Sequence, residues 1–166
     1  MATHGIPIIP DEECEPLRRD CDRAYQEIDD PMLRILVDFC RLHMLDESLD
    51  ADLLTLMNMN YLAETLERFG VEVLIQHGLA EWDEKDDLVI YDDGDPRLPK
   101  SLYMFTRDGV GGERFKRWYD SLPKEEQRRM QREYLGCMRA RDAFNACTIA
   151  SMYIQLIIHD IMRTRQ

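Results

Sequence analysis

The sequence lacks the short motifs that mark common catalytic and metal-binding sites. It contains no GxSxG nucleophile elbow, no HExxH zinc motif, no complete P-loop and no CxxC pair. Pairs of carboxylates, which general acid–base catalysis can use, are plentiful, but an acidic composition produces such pairs by chance. We therefore expect a non-enzymatic protein that uses no cofactor and has no catalytic or metal-binding residue.

A long hydrophobic run and a secretory leader are also missing. The most apolar segment, residues 143–162, is interrupted by Asn145, Gln155, His159 and Asp160. We predict that it is a buried helix rather than a membrane span, with the adjacent His159 and Asp160 pointing in different directions. No basic segment precedes the short apolar run at residues 6–10, so we expect no secretory signal and a cytoplasmic protein that does not bind membranes.

The cysteines are few, odd in number and widely spaced. They are Cys14, Cys21, Cys40, Cys137 and Cys147. This pattern favours reduced thiols over a disulfide framework. Cys40 and His43 lie one helical turn apart, and with Cys14 and Cys21 they form a set of possible zinc ligands. Because Cys14 and Cys21 lack the tight spacing of structural zinc sites, small buried core residues are the favoured interpretation, and metal binding is left open.

Charge is abundant, and its sign changes along the chain. The 33 acidic and 21 basic residues give a net charge of −12. Residues 1–99 carry 25 acidic and 8 basic residues, a net charge of −17, whereas residues 100–166 carry 8 acidic and 13 basic residues, a net charge of +5. Such asymmetry indicates interaction surfaces. We predict an extended arm over residues 1–10, an acidic helical subdomain over 11–99 and a basic helical subdomain over 100–166 packing on the same core.

Hydrophobic periodicity predicts a mostly α fold, a helical bundle with one small β-hairpin. Helices are predicted over residues 11–28, 31–45, 49–57, 61–69, 71–77, 113–122, 123–141 and 143–162. Asp30 before Pro31 is a helix start signal, and Gly78 is predicted to end a helix in a left-handed conformation. The two strands of the hairpin are predicted at residues 79–83 and 88–91.

One segment, residues 50–91, combines a short helix, a turn at Asn58–Asn60, a second helix ending at Gly78, and the hairpin. This arrangement resembles a winged-helix domain, in which the second helix often lies in the major groove of DNA. The corresponding residues here are mostly acidic, whereas contacts to DNA phosphates need Lys or Arg. The resemblance and the charge together imply a protein-docking version of this winged-helix-like unit.

The candidate partner-binding residues form an acidic face on the second helix, the hairpin and the loop after it. They are Glu64, Glu67, Glu72, Glu81, Asp83, Glu84, Asp86, Asp87, Asp92, Asp93 and Asp95. We expect this face to bind a basic protein, including a nucleic-acid-binding protein that it blocks by mimicking nucleic acid. The expected function is that of a small regulator or inhibitor of the phage or bacterial type.

The alternative function uses a basic face in the second half of the chain. Its residues are Arg114, Lys116, Arg117, Trp118, Arg128, Arg129 and Arg132. Basic and aromatic side chains together suit phosphates and bases, so the alternative is a winged-helix DNA-binding regulator of transcription or replication, with nucleic acid the less favoured partner. The same residues also suit contact with the acidic segment of this chain or of a second copy in a homo-oligomer.

Overall fold

The structure is a computed structural model that describes residues 9–43, 51–109 and 111–164, apart from the side chain of His43. The described part contains six α-helices and one small antiparallel sheet of two strands. The predicted fold class, mostly α with one hairpin, is confirmed. Most of the arm predicted at residues 1–10 and the end of the helix predicted over 31–45 lie outside the described residues.

The elements follow one another in a simple order. Helix α1 spans Asp11–Gln26, and α2 spans Pro31–Asp38 and continues as the π-helical segment Phe39–His43. Helix α3 spans Leu53–Gln76, and the strands are β1 (Ala80–Trp82) and β2 (Leu88–Ile90). The remaining helices are α4 (Lys100–Asp108), α5 (Glu113–Asp120) and α6 (Lys124–Thr164).

The chain divides into two compact units. Unit 1 comprises Met1–Gly70 together with Asp142–Gln166, and unit 2 comprises Val71–Arg141. These bounds differ from the subdomains proposed from charge, because α3 and α6 each contribute residues to both units. Compactness therefore follows the packing of the helices and not the change in the sign of charge.

Unit 1 has an apolar core built from residues of α1, α2, α3 and α6. Val37, Ala63, Ile154 and Ile158 are fully buried within it. The predicted start of α2 is confirmed, since the Asp30 carboxylate accepts hydrogen bonds from the backbone amides of its second and third residues at 2.9 and 3.3 Å. Asp30 thus satisfies amides that the first turn of the helix leaves unpaired.

Unit 2 contains the hairpin and the shorter helices. The strands pair in the register Ala80 with Ile90 and Trp82 with Leu88. Gly78 ends α3 with a φ of 72°, as predicted, and its left-handed conformation turns the chain into β1. The ring of Phe105 packs against those of Phe115 and Tyr134, with centroids 4.1 and 4.3 Å apart. These rings connect α4, α5 and α6 within the unit.

Helix α3 is continuous where two helices and a turn were predicted. Asn58–Asn60 lies inside the helix, and the side-chain amide of Asn60 donates to Glu64 one turn later at 3.4 Å. Leu56 and Ala63 are buried on its core side. Tertiary packing has overridden the turn preference of asparagine. The predicted turn is wrong, and the segment lacks the helix–turn–helix arrangement on which the winged-helix resemblance rested.

Helix α6 is likewise one helix of 41 residues where two were predicted. Gly136 and the break predicted at residue 142 both lie within this helix. The helix carries buried residues along its length, including Met130, Cys137 and Ile154. Burial on both sides of Gly136 compensates for the low helix propensity of glycine.

The carboxyl group of Asp142 in α6 gives a pH-dependent prediction. Burial raises its pKa, and the negative charges of Asp29 and Asp30 raise it further. The resulting destabilisation is absent below the unfolded-state pKa, appears as the pH rises through that value, and is complete above the folded-state pKa. We therefore expect Asp142→Asn to increase the free energy of unfolding at about pH 7 and to change it little at about pH 3.

Urea denaturation of wild type and variant at the two pH values measures this difference. Asp120→Asn, at an exposed position of α5, is the control for loss of one negative charge. An increase in stability of the same size at both pH values would contradict the assignment to ionised Asp142.

Candidate interaction surfaces

An exposed apolar stripe runs along α2 and the π-helical segment that follows it. Met32, Ile35 and Leu42 have exposed fractions of 71%, 60% and 57%, and we call these three residues the α2 stripe. Phe39 lies between them in sequence and is also half exposed. Met32 and Ile35 lie one turn apart on α2, and Phe39 and Leu42 follow in the π-helical segment, so exposed apolar side chains continue past the end of α2.

The stripe exists because α2 is apolar on more than one side. Val37 and Cys40 are buried in the core of unit 1, while Met32 and Ile35 lie on the outer side of the same helix. A helix that is hydrophobic all round is normally covered on all sides. The exposed side of α2 is therefore a candidate interaction surface.

This stripe was not predicted from the sequence. A helix was predicted over residues 31–45, but no exposed apolar side was assigned to it. The signal was present, because Met32, Ile35 and Leu42 follow a helical period of their own. Periodicity alone does not tell which of two apolar sides of a helix faces the core.

Unit 1 combines this apolar surface with most of the negative charge. It carries 18 acidic and 8 basic residues, a net charge of −10, whereas unit 2 carries 15 acidic and 13 basic residues, a net charge of −2. Further exposed apolar side chains of unit 1 lie at the start of α3, at Leu54, Met57 and Tyr61. Unit 1 is thus the acidic part of the protein.

The residues predicted to form one acidic face are divided between the two units. Glu64 and Glu67 belong to unit 1, and the other nine belong to unit 2. Glu67 is used inside unit 1, where its carboxylate accepts hydrogen bonds from Ser151 and Gln155 at 2.8 and 3.2 Å. Part of the predicted face therefore stabilises the fold.

Arginines of unit 2 neutralise several of its acidic residues. The guanidinium group of Arg97 contacts Glu81 at 3.0 Å and Asp95 at 2.8 Å, and the hydrogen bonds from the side chain and backbone of Arg97 lower the pKa of the Asp95 carboxyl. Arg141 contacts Asp93 at 3.0 Å. Ion pairs within the unit reduce the charge that the loop after the hairpin offers to a partner.

The hairpin tip keeps an exposed acidic surface. The carboxylate of Asp83 accepts hydrogen bonds from the backbone amides of Lys85 and Asp87 at 2.8 and 2.9 Å, so it shapes the turn. Glu84, Asp86 and Asp87 are exposed around it. These carboxylates, together with Glu72 and Asp92, are the part of the predicted acidic set that suits an external contact.

The seven residues of the predicted basic face all lie in unit 2. Those from Arg114 to Trp118 are on α5, and Arg128, Arg129 and Arg132 are on α6. Two of them contact acidic residues of the same unit: Arg129 lies 2.8 Å from Glu126, and Arg114 lies 4.0 Å from Asp108. The acidic hairpin and the basic helices share one nearly neutral unit. Neutralisation within the unit is consistent with this composition, and nucleic-acid binding by the basic residues stays a prediction.

Of the possible zinc ligands named from sequence, Cys14 alone joins a group of close ligands within the described residues. Among the described residues, the one group of close potential metal ligands is Asp11, Cys14 and His159, without Cys21 or Cys40. The thiol of Cys21 lies 3.8 Å from the sulfur of Met152, and burial raises its pKa to about 11. The side chain of His43 lies outside the described residues.

His159 and Asp160 also differ from the prediction made for them. The imidazole of His159 is buried in unit 1, and its Nδ1 lies 3.5 Å from Oδ1 of Asp160. The expectation that these neighbours point apart is wrong, because the short Asp160 side chain turns back toward the ring. No local sequence signal identifies two further partners of His159, Cys14 and Asp11, which are 145 and 148 positions away.

Comparison with known proteins adds no relationship to these observations. No model of a protein family matches the chain, no curated protein matches its sequence, and no solved structure matches its fold. Among the helices of the described residues, none has an apolar stretch of the length that crossing a membrane requires. The surfaces and side-chain clusters themselves therefore carry the functional argument.

Proposed function

We propose that the protein is a non-enzymatic interaction protein whose acidic unit 1 binds a basic protein partner through the α2 stripe. The observation that carries the proposal is the exposure of three large apolar side chains, at helical spacing, in a unit with a net charge of −10. Contiguous exposed apolar surface in a monomer marks interaction sites. The expected partner presents apolar residues bordered by lysines and arginines.

The apolar stripe supplies affinity, and the acidic surroundings supply selectivity. Complete burial of an exposed Met, Ile or Leu side chain contributes about 1.5–3 kcal/mol, so the three largely exposed side chains of the stripe offer a compact binding centre. Acidic residues accelerate encounter with a basic protein and disfavour nucleic acid. The exposed carboxylates of the hairpin tip suit the same class of partner.

A reducing, cytoplasmic location belongs to the same proposal. All five cysteines are free thiols and all five are buried. Disulfides are typical of small secreted domains and are rare in the cytosol. Five unpaired cysteines in a chain of 166 residues favour the cytosolic setting.

The decisive experiment compares capture of partners by two variants. Met32→Gln/Ile35→Gln/Leu42→Gln removes the apolar stripe without changing charge, and Ile90→Gln/Leu135→Gln is the control, at exposed apolar positions of unit 2. The tagged full-length chain is incubated with nuclease-treated extract at low and raised salt, and bound proteins are quantified by mass spectrometry. We expect the wild type and the control to capture basic proteins in similar amounts, and raised salt to reduce those amounts. The stripe variant should capture at least about tenfold less of the same proteins.

Three results would overturn the proposal. Equal capture of basic proteins by the stripe variant and the wild type would show that the stripe does not contribute to partner binding. Light scattering that shows a dimer of the wild type, and a monomer of the stripe variant, assigns the stripe to a second copy of the chain. A shift of duplex DNA in a gel, lost in Arg128→Ala/Arg129→Ala/Arg132→Ala, supports the DNA-binding alternative.

A further inference from the structure

Three potential metal ligands meet in unit 1, between the first turn of α1 and the end of α6. The sulfur of Cys14 lies 3.5 Å from Nδ1 and 3.6 Å from Nε2 of His159. Oδ1 of Asp11 lies 2.8 Å from the same Nε2. The three ligand atoms all lie within 4.8 Å of one another.

The cluster is buried on two sides and open on the third. Cys14 and His159 have exposed fractions of 8% and 6%, whereas the side chain of Asp11 is 73% exposed. Asp11 and Cys14 are three residues apart in α1, so both side chains fall on one face of that helix. The arrangement gives a cation a buried sulfur and nitrogen, an exposed carboxylate, and a path to solvent.

The sulfur position does not suit a nucleophilic triad. In a triad the acid binds the ring nitrogen that faces away from the nucleophile. Here Asp11 binds Nε2, and the sulfur is almost equally far from both nitrogens, so it lies on the axis of neither. A sulfur in line with one N–H group would be much nearer to one nitrogen than to the other.

The separations suit a tetrahedral cation. With Zn–S near 2.3 Å and Zn–N near 2.0–2.1 Å, sulfur and nitrogen ligands of one zinc ion lie about 3.6 Å apart. Sγ of Cys14 and Nε2 of His159 are 3.6 Å apart, but the sulfur lies beside the ring, equally near to Nδ1, and not along the direction in which Nε2 would bind a cation. Metal binding therefore requires rotation of the Cys14 side chain toward the Nε2 side of the ring and outward movement of the exposed Asp11 carboxylate by a fraction of an ångström.

A second layer of residues supports the histidine. Nδ1 of His159 faces Oδ1 of Asp160 at 3.5 Å, and the other oxygen of Asp160 accepts a hydrogen bond from Arg18 at 2.7 Å. A carboxylate on the second ring nitrogen orients metal-binding histidines in many proteins. Arg18, one turn after Cys14 in α1, holds that carboxylate in place.

We propose that Asp11, Cys14 and His159 form a binding site for a divalent transition metal ion of the zinc type. The ligand atoms are Oδ1 of Asp11, Sγ of Cys14 and Nε2 of His159, and the fourth position faces solvent beside Asp11. Zinc accepts this mixture of oxygen, sulfur and nitrogen ligands, whereas magnesium and calcium prefer oxygen alone. The bound ion converts the thiol of Cys14 to a thiolate.

Cobalt binding to the full-length chain tests the site. Co²⁺ added to reduced, metal-free protein is expected to give a thiolate-to-cobalt charge-transfer band that saturates at one ion per chain and is abolished by Zn²⁺. Cys14→Ser and Asp11→Asn should lose the band or weaken Co²⁺ binding, and Asp160→Asn should weaken it about ten- to hundredfold. Cys147→Ser, another buried cysteine of unit 1, is the control and should keep the band.

Circular dichroism of each variant separates loss of the site from loss of the fold. Asp11→Asn changes an exposed side chain, so it tests the site even if Cys14→Ser fails to fold. Absence of a charge-transfer band in the wild type, or a band unchanged in Cys14→Ser and Asp11→Asn, would overturn the proposal. The experiment measures metal binding alone, so its result is independent of whether the α2 stripe binds a partner.

Discussion

Ile158→Ala is expected to lower the free energy of unfolding by about 2–5 kcal/mol. Ile158 in α6 is fully buried in the core of unit 1. Removal of its three outer carbons loses apolar burial and leaves a cavity, because neighbouring side chains in a close-packed core relax only partly. Chemical denaturation monitored by circular dichroism measures the loss, provided that the slope with denaturant is unchanged.

The matched control makes the same substitution on the exposed side of α2. Ile35→Ala removes the same atoms from a side chain that is 60% exposed, so we expect a change within about 0.5 kcal/mol. A small effect also shows that the stripe variants bind less because they lack a surface and not because they unfold. A loss at Ile35 as large as the loss at Ile158 would contradict both the burial of Ile158 and the exposure of the stripe.

Gly70→Leu is expected to destabilise the protein by about 1–3 kcal/mol, although leucine is the better helix former. Gly70 lies in α3, where a Cβ atom would meet Cβ of Cys147 at 3.2 Å and the backbone Cα of Phe144 at 3.4 Å. The backbone of α6 cannot move aside as the end of a flexible side chain can. The remaining leucine atoms would force the two helices apart within unit 1.

The control is a second helical glycine with more space around it. At Gly136 in α6 the nearest atom to an added Cβ belongs to His77, at 3.8 Å, which is an ordinary contact distance. Gly136→Ala should therefore stabilise the protein by about 0.5–1 kcal/mol through helix propensity alone. Thermal unfolding of both variants tests the pair, and a change of the same sign in the two would refute the close approach at Gly70.

Features set by neighbouring residues were predictable from the sequence. Asp30 before Pro31 and Gly78 before a strand are local signals, since a cap or a left-handed turn depends on a few adjacent residues. Two short apolar segments joined by a polar turn at residues 84–87 likewise predicted both strands. Asn58–Asn60 misled the prediction, because asparagine favours turns only until the packing of Leu56 and Ala63 makes a continuous helix more stable.

The candidate sites depended on contacts that no local pattern contains. Cys14 and His159 are separated by 145 residues, and the periodicity of neither helix indicates that they meet. Ile35 is exposed because the other helices of unit 1 cover the opposite side of α2. The sequence of α2 alone does not distinguish its buried apolar side from its exposed one. The charge change near residue 100 was real, but packing placed the acidic hairpin and the basic helices in the same unit.

The interrupted layout of unit 1 sets an order of events during synthesis. Unit 2 is one continuous stretch, Val71–Arg141, inserted between the two parts of unit 1. On the ribosome the inserted stretch is complete while unit 1 still lacks Ile154, Ile158 and His159. The apolar and thiol side chains of α1 to α3 in unit 1 therefore lack their packing partners on α6 until residues 142–164 have been synthesised.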